Sequence, residues 1–486
     1  MKVGTGIKKS FARLVDAVWP SRQYPFLYQA LPNDSKVDVA ESDRRILLGY
    51  ARYLYYNLGL VRGAVDTKAR LAIGDGLAPR PFTSNEQWNA KAQELWEQWA
   101  SFPDVTGKFT WGEMLRLASV AIDRDGEFFC ILTKGSEGNP LLQLIESHRV
   151  GTGKTLSNEL TDGKFFDGVW VNKHGRPTHY RFLTGEKFPE ERTKELPAQA
   201  VLHAYESVRT DEYRGVSNLA QAVNHLRDIV DIVGYEKFSS KIRAALALQI
   251  EKTNETSGPS LLGHRVKQQD NFTGAQLTVE KLLAGTIVDM EPGSKLSSVI
   301  GDRPEAQTME LLKFLIRDVA VGLGMPYEVV WDASALNGTS VRMTLRMMQE
   351  TIRQRQILMQ NKICKRVWGY VINSYMNDGK LPQNDEWYKV EWNTPAELSV
   401  DLRQQQQDRE DLKLGLTTYA ELYGKYGKNW KDALKQKAQE AQFIKGLAEQ
   451  YEIDRRDVAM LTPNELPEGM QIPAVNLPPE APNTDS

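Results

Sequence analysis

From Ser340 to about Met376 the sequence keeps one helical periodicity, and that helix is apolar on two sides. Leu345, Met348, Ile352, Met359 and Ile363 make one apolar face, and Met343, Met347 and Leu358 a second. A helix of this kind must be sandwiched between neighbours, which a small single domain seldom supplies. At about 100° per residue, Arg342, Arg346 and Arg353 fall within about 40° of one another. These three form a basic stripe at the helix start; with Arg355, Lys362, Lys365 and Arg366 the helix carries seven basic residues against Glu350 as the local counter-charge. Two readings stand. The arginines pair with acidic groups elsewhere in the chain, or they face an anionic partner such as phosphate.

The segments before this helix alternate between helical and β patterns. DVAESDRRILLGYARYLYYN opens with acidic residues, which suit a helix N-terminus, and GDGLAPRP from Gly74 is a break. NEQWNAKAQELWEQWAS predicts a helix with Trp88, Leu95, Trp96 and Trp99 on one side, read as core. WGEMLRLASVAIDRDG predicts a helix ending at a DG turn, followed by the strand EFFCILTK. LLQLIESHRV and FDGVWVNKHGRPTHYRFL alternate at period two, with KHGRP from Lys173 as a hairpin loop, so a small antiparallel β unit is expected. A long helical pattern runs from Gly215 to about Glu251, followed by a polar loop or insertion from Lys252 to Gln276. GTIVDMEPGSKLSSV reads as strand, turn, strand. RPEAQTMELLKFLIRDVAVGLG is again helical, with Gly324 just past its end, and a further helical pattern covers about 400–460. The proline-rich, acidic last stretch is expected to be a disordered tail.

Composition narrows the function classes. The 486 residues suffice for about three domains. Hydrophobic residues are 41% and charged residues 26%, as in a globular protein. Lys+Arg total 61 against Asp+Glu 63, a net charge of −2, which argues against a protein that simply coats nucleic acid. Two distant cysteines, Cys130 and Cys364, cannot build a disulfide framework and point to a reducing, intracellular compartment. No apolar stretch approaches the roughly 18 residues of a membrane span, so no membrane partner is expected. Phe11, Leu14, Val15 and Val18 predict a short amphipathic helix packed on the protein itself.

Motifs for chemistry are weak. VGTGKT has His148 where a phosphate loop needs glycine, so a β-turn is expected there. The six histidines show no metal-binding spacing. Asp123, Asp125 and Glu127 form a local carboxylate cluster that could hold a divalent cation. The plainer reading is a helix-to-strand turn with solvated carboxylates. No catalytic residue, cofactor or metal is assigned. An alternative function remains: a metal-dependent nucleic-acid-processing enzyme using these three carboxylates, with the arginine stripe as a phosphate track.

The order of segments resembles the portal proteins of tailed bacteriophages, most closely the lambda-type portal family. The matching runs include NLGLVRGAVDTKARLAIGDGLAPRP, LWEQWASFPDVTGKFTW, DGEFFCIL, GVWVNKHGRPTHYRF, the arginine-glycine turn in DEYRGVSNLAQAVNHLRDIV, and GTIVDMEPGSKLSSVIGDRPEAQTMELLKFLIRDVAVGLGMPYEVVWDASALNGTSVRMTL. The stretch from Lys252 to Gln276 and the region after about Asp401 depart from it.

The resemblance implies an α+β portal fold, mainly helical with small antiparallel β units. It implies a wing at 1–221, stem helices at 222–250 and 303–324, a clip at 251–302 and a channel loop at 325–341. The long helix and the C-terminal part of the wing would occupy 342–399, a crown 400–460 and a tail 461–486. It further implies a homo-oligomeric ring, usually of twelve subunits, at one vertex of the capsid, assembled in the bacterial host's cytoplasm. Double-stranded DNA would pass through the ring. Its partners would be the large terminase subunit, the major capsid or scaffold protein, and later the head–tail completion protein. Channel residues would be Lys237, Lys241, Lys313, Arg317, Asn337, Arg342 and Arg346, and motor-docking residues in the clip Glu291, Gly293 and Lys295. A near-neutral charge suits a conduit, because every neutralised phosphate adds affinity and slows sliding.

Overall fold

A computed structural model of the chain describes residues 34–152, 164–184, 193–245, 305–331, 338–395, 410–425 and 430–450. The chain divides into two compact units, Met1–Val400 and Asp401–Ser486. The expected N-terminal helix, residues 153–155 of the GTGKT turn, the Lys252–Gln276 loop, the expected strand-turn-strand at 285–299 and the expected tail lie outside the described residues.

The first unit opens with the short helix α1 (Ser35–Asp38), then α2 (Glu41–Asn57) and α3 (Gly59–Ile73). Gly74 and Gly76 stop α3 with positive φ of 56° and 131°, a backbone that side chains with a Cβ resist, so the predicted break is there. Strand β1 (Ala78–Pro81) leads to α4 (Glu86–Ala100) and α5 (Trp111–Arg124). Asn85 caps α4 by accepting the Trp88 amide at 3.0 Å. At α5 the T-x-x-E sequence forms a capping box: the Glu113 amide donates to Thr110 Oγ1 and the Thr110 amide donates to Glu113 Oε2.

The tryptophan side predicted for α4 is the centre of the core. Trp88, Trp96 and Trp99 are buried, and the Trp96 ring lies 4.7 Å from Trp99, 5.5 Å from Trp111, 5.5 Å from Trp368 and 5.9 Å from Trp392, centroid to centroid. Indole N–H groups need partners when buried. Trp88, Trp99, Trp111 and Trp368 each donate to a backbone carbonyl at 2.8–3.1 Å, of Pro382, Pro140, Leu77 and Trp387 respectively.

The β content forms small antiparallel units, as the resemblance implies. Strands β2 (Glu127–Lys134) and β3 (Pro140–Ile145) pair antiparallel, and β8 (Val201–Tyr205) takes the other edge of β2. A separate four-stranded meander holds β4 (Lys164–Phe166), β5 (Val169–Val171), β6 (Pro177–Leu183) and β7 (Thr193–Pro197). The predicted hairpin at KHGRP connects β5 and β6, with Gly175 at φ 79°. Strand β1 pairs antiparallel with β9 (Val390–Asn393), which ties the segment before α4 to the end of this unit.

Helices α6 (Val223–Ala245) and α7 (Glu305–Gly322) pack together, the start of α6 beside the end of α7 through His225 Nδ1 and Asp318 Oδ2 at 2.8 Å. A Schellman motif ends α7. The Met325 amide reaches the Ala320 carbonyl, the Gly324 amide reaches Val321, and Gly324 sits at φ 67°. After α8 (Tyr327–Val330), α9 (Gly338–Met359) and α10 (Lys365–Asn377) form the long helix. It is not uniform: Gln360–Cys364 is a π turn, which shifts the facing of everything beyond it. The second unit contains α11 (Tyr419–Lys425), opened by a Thr418–Glu421 capping pair, and α12 (Trp430–Gln450).

Candidate functional site

The carboxylate turn between α5 and β2 is neither solvated nor a metal site, which corrects both readings made from the sequence. Asp123, Asp125 and Glu127 are all buried, Asp123 completely, and each is held by cations from distant segments. Arg355 Nη2 donates to Asp123 Oδ1 at 2.6 Å, Asn218 Nδ2 at 2.8 Å and Lys68 Nζ at 3.2 Å. Arg52 Nη2 donates to Asp125 Oδ2 at 2.8 Å and Arg124 Nη2 at 2.9 Å. Glu127 accepts from Arg214 Nη2 at 2.6 Å, Ser147 Oγ at 2.6 Å and the Gly215 amide at 3.0 Å, with Arg44 Nη1 at 3.3 Å. Three carboxylates committed to five arginines and a lysine leave no ligand set for a divalent ion. Among the described residues no group of three His, Cys, Asp or Glu could hold one.

The electrostatics follow from this geometry. Burial alone pushes the Asp123 carboxyl up, but Arg355 and Lys68 overcome it and hold it below its ordinary value. Burial opposes Glu127 in the same way, and Arg214, His203 and Arg44 hold it well below. Burial pushes His203 down, toward neutral imidazole. The hydrogen-bond network assigns its tautomer: Nε2–H donates to Glu127 Oε2 at 3.0 Å, and Nδ1 accepts the Tyr180 hydroxyl at 3.3 Å. Asp167 goes the other way, since its burial outweighs Arg214 and Arg44.

Two glycines let the network close. Gly126, at φ 91°, and Gly215 pack backbone to backbone, and a Cβ on either would overlap the other's turn. This explains the arginine-glycine pair in chemical terms: Arg214 supplies the charge for Glu127, and Gly215 supplies the close approach and an amide donor. The network also reaches the long helix and the end of α7. Lys68 Nζ donates to the Leu323 carbonyl at 3.2 Å, and Arg355 Nη1 donates to Ser119 O at 3.2 Å.

The basic set of the long helix therefore splits. Arg355 is buried in the ion network, and Arg366 is anchored on the carbonyls of Val201, Ala198 and Gln199. Arg342, Arg346 and Arg353 are exposed. The two apolar faces split as well: Met348, Ile352, Met359 and Ile363 are core, while Met343 and Met347 face outward. Of the other expected channel residues, Lys237 and Lys241 are exposed on α6. On α7, Lys313 pairs with Glu310 at 3.0 Å and the Arg317 guanidinium lies 4.9 Å from the Tyr327 ring centroid. Asn337, Glu291, Gly293 and Lys295 lie outside the described residues. Sequence reasoning missed Arg44, Lys68 and His203, which carry no motif and meet their partners only through the fold.

Among curated proteins none matches the chain. Solved structures similar to it include the neck of an empty gene transfer agent particle computed with C6 symmetry, at 13% identity and TM-score 0.46, covering 76% of this chain and 88% of that one. The virion of a native gene transfer agent particle matches at 13% identity and TM-score 0.45, covering 78% and 93%. An HK97-family phage portal protein from Corynebacterium diphtheriae matches at 11% identity and TM-score 0.29, covering 67% and 90%. At such distances these likenesses assign no residue a role. The family model is decisive: that of the phage portal proteins, lambda family, matches residues 29–356. The chain belongs to the lambda family of phage portal proteins, and its function is that of a portal channel.

Proposed function

We propose that copies of this chain close into a ring, of twelve subunits as is usual for portals, through which double-stranded DNA passes. The large terminase subunit and later the head–tail completion protein dock on it, and the capsid or scaffold protein surrounds it at one vertex. The observation that carries the ring is the apolar surface left open along α7 and α9. Phe314 is 62% exposed, Val321 74%, Met343 69% and Met347 60%. Monomeric proteins seldom leave large side chains of this kind uncovered in such number. A ring covers them by a heterologous contact, in which one face of each subunit meets a different face of the next. The long helix, apolar on two sides, is then core on one side and interface on the other.

Within the ring, α6 and α7 are the stem, 251–302 the clip, 325–341 the channel loop and 400–460 the crown. Lys237, Lys241, Lys313 and Arg317 offer sparse cations to the channel, and Arg342 and Arg346 follow the channel loop. Each becomes a ring of charge by symmetry, so few are needed. The net charge of −2 keeps the conduit from gripping its cargo. The test is charge reversal, with Lys237→Glu/Lys241→Glu in one variant and Arg342→Glu/Arg346→Glu in another. Rings should still form under the electron microscope with the first variant while the amount of packaged DNA falls. Packaging at the wild-type level with both variants would refute the channel assignment.

A further inference from the structure

We propose that the cleft between the end of β2, the start of α10 and the Trp387 turn is a docking site for an acidic peptide segment of a protein partner. The cleft has a volume of about 520 Å³ and is lined by Lys134, Lys365, Arg366, Tyr370, Ser374 and Trp387 among others. Among the described residues no carboxylate lines it. That is against the habit of this molecule, where Arg44, Arg52, Arg181, Arg214 and Arg355 each pair with an Asp or Glu. Among the described residues Arg366 has carbonyl partners only, at 3.0–3.3 Å, which fix its position without neutralising it. Lys365 Nζ donates to Asn361 Oδ1 at 2.8 Å, again an uncharged partner.

A second, independent feature points to a ligand. The Ser374 hydroxyl is buried beneath the cleft and has no hydrogen-bond partner among the described residues. Buried polar groups are satisfied as a rule, so an orphan at the floor of a polar cleft marks a place for an incoming acceptor or donor. The walls are aromatic and held in place. Trp387 packs over Gly369, where an added Cβ would lie 3.1 Å from the ring, and the Tyr370 hydroxyl donates to the Thr133 carbonyl.

Composition favours a peptide over DNA. The depression is open, but it offers three cations clustered beside the Tyr370 and Trp387 rings, whereas duplex phosphates are read by an extended track of cations. Carboxylate side chains fit the three cations, and proline or apolar residues between them fit the aromatic walls.

The experiment uses the full chain and a short fluorescent peptide of alternating Glu and Pro, read by anisotropy. A Gln-Pro peptide and a duplex DNA serve as competitors. The Glu-Pro peptide should bind, the Gln-Pro peptide should compete at least about tenfold less well, and added salt should weaken binding. Lys134→Gln/Lys365→Gln changes two exposed side chains and should leave the fold intact while lowering affinity about tenfold. Ser374→Ala should lower it by a smaller factor. Undiminished affinity in the double lysine variant overturns the proposal. So does failure of the folded wild type to bind the peptide. Displacement of the peptide by duplex DNA at lower concentration than by unlabelled peptide would make this a nucleic-acid site instead, and equally overturns it.

Discussion

Replacing Arg355 by methionine removes one cation from a carboxylate that has no access to water. Asp123 is completely buried, and Arg355 is its shortest ionic partner at 2.6 Å. Lys68 stays at 3.2 Å, but its ammonium is shared with the Leu323 carbonyl, and Asp123 Oδ2 already lacks a hydrogen-bond partner among the described residues. Breaking one side of a buried pair costs about 3–5 kcal/mol, because the remaining charge is left uncompensated. Arg353→Met, two residues away and exposed, controls for loss of charge and should stay within about 0.5 kcal/mol of wild type. Removing all three charges together, in Lys68→Met/Asp123→Asn/Arg355→Met, should cost less than the sum of the single changes, since no ion is then stranded. Denaturant unfolding at fixed protein concentration measures the differences. Hydrogen exchange in α5 and α9 locates them. Equal stability for Arg355→Met and Arg353→Met would refute the claim that this network holds the long helix to α5.

Acidification should unfold the protein along a defined course. His203 lies below its ordinary value of 6.5, so the unfolded chain takes up a proton first and stability begins to fall below pH 6.5. Asp123 and Glu127 lie below their ordinary 3.8 and 4.5, so their contribution is full above those values and is lost as pH falls through their lower folded values. A fluorescence titration of the buried tryptophans follows this loss, and a flat response from pH 7 to 3 contradicts it. Gly126→Ala forces a Cβ into the Val216–Ser217 backbone at φ 91° and should cost at least about 3 kcal/mol, measured as soluble yield and unfolding midpoint. Thr110→Ala removes the α5 cap and should cost about 1 kcal/mol with no change in assembly.

Local chemistry was legible in the sequence wherever it rested on neighbours along the chain. The tryptophan side of α4, the stop at Gly74, the DG turn at Gly126 and the hairpin at Gly175 all follow from spacing and backbone preference. The ion network was not legible, because Lys68, Arg214 and Arg355 come from three separate segments to meet carboxylates that any local reading leaves in water. The same blindness left Arg355 and Arg366 counted with the other basic residues of the long helix, their burial and their partners unread. A polar side chain's burial is decided by what the fold brings over it, and periodicity carries no information on that. Strand β8 and the meander strand β7 are short and flank other elements, so their patterns are too brief to register.

Native mass spectrometry of the purified chain, with Phe314→Asp and Met343→Asp/Met347→Asp beside it, tests the central claim most directly. The wild type should show a closed assembly at an integer multiple of 55.0 kDa, expected at twelve copies, and the two variants should fall to folded monomers. A wild type that stays monomeric at every salt concentration would contradict the account. Variants that assemble as it does would do the same.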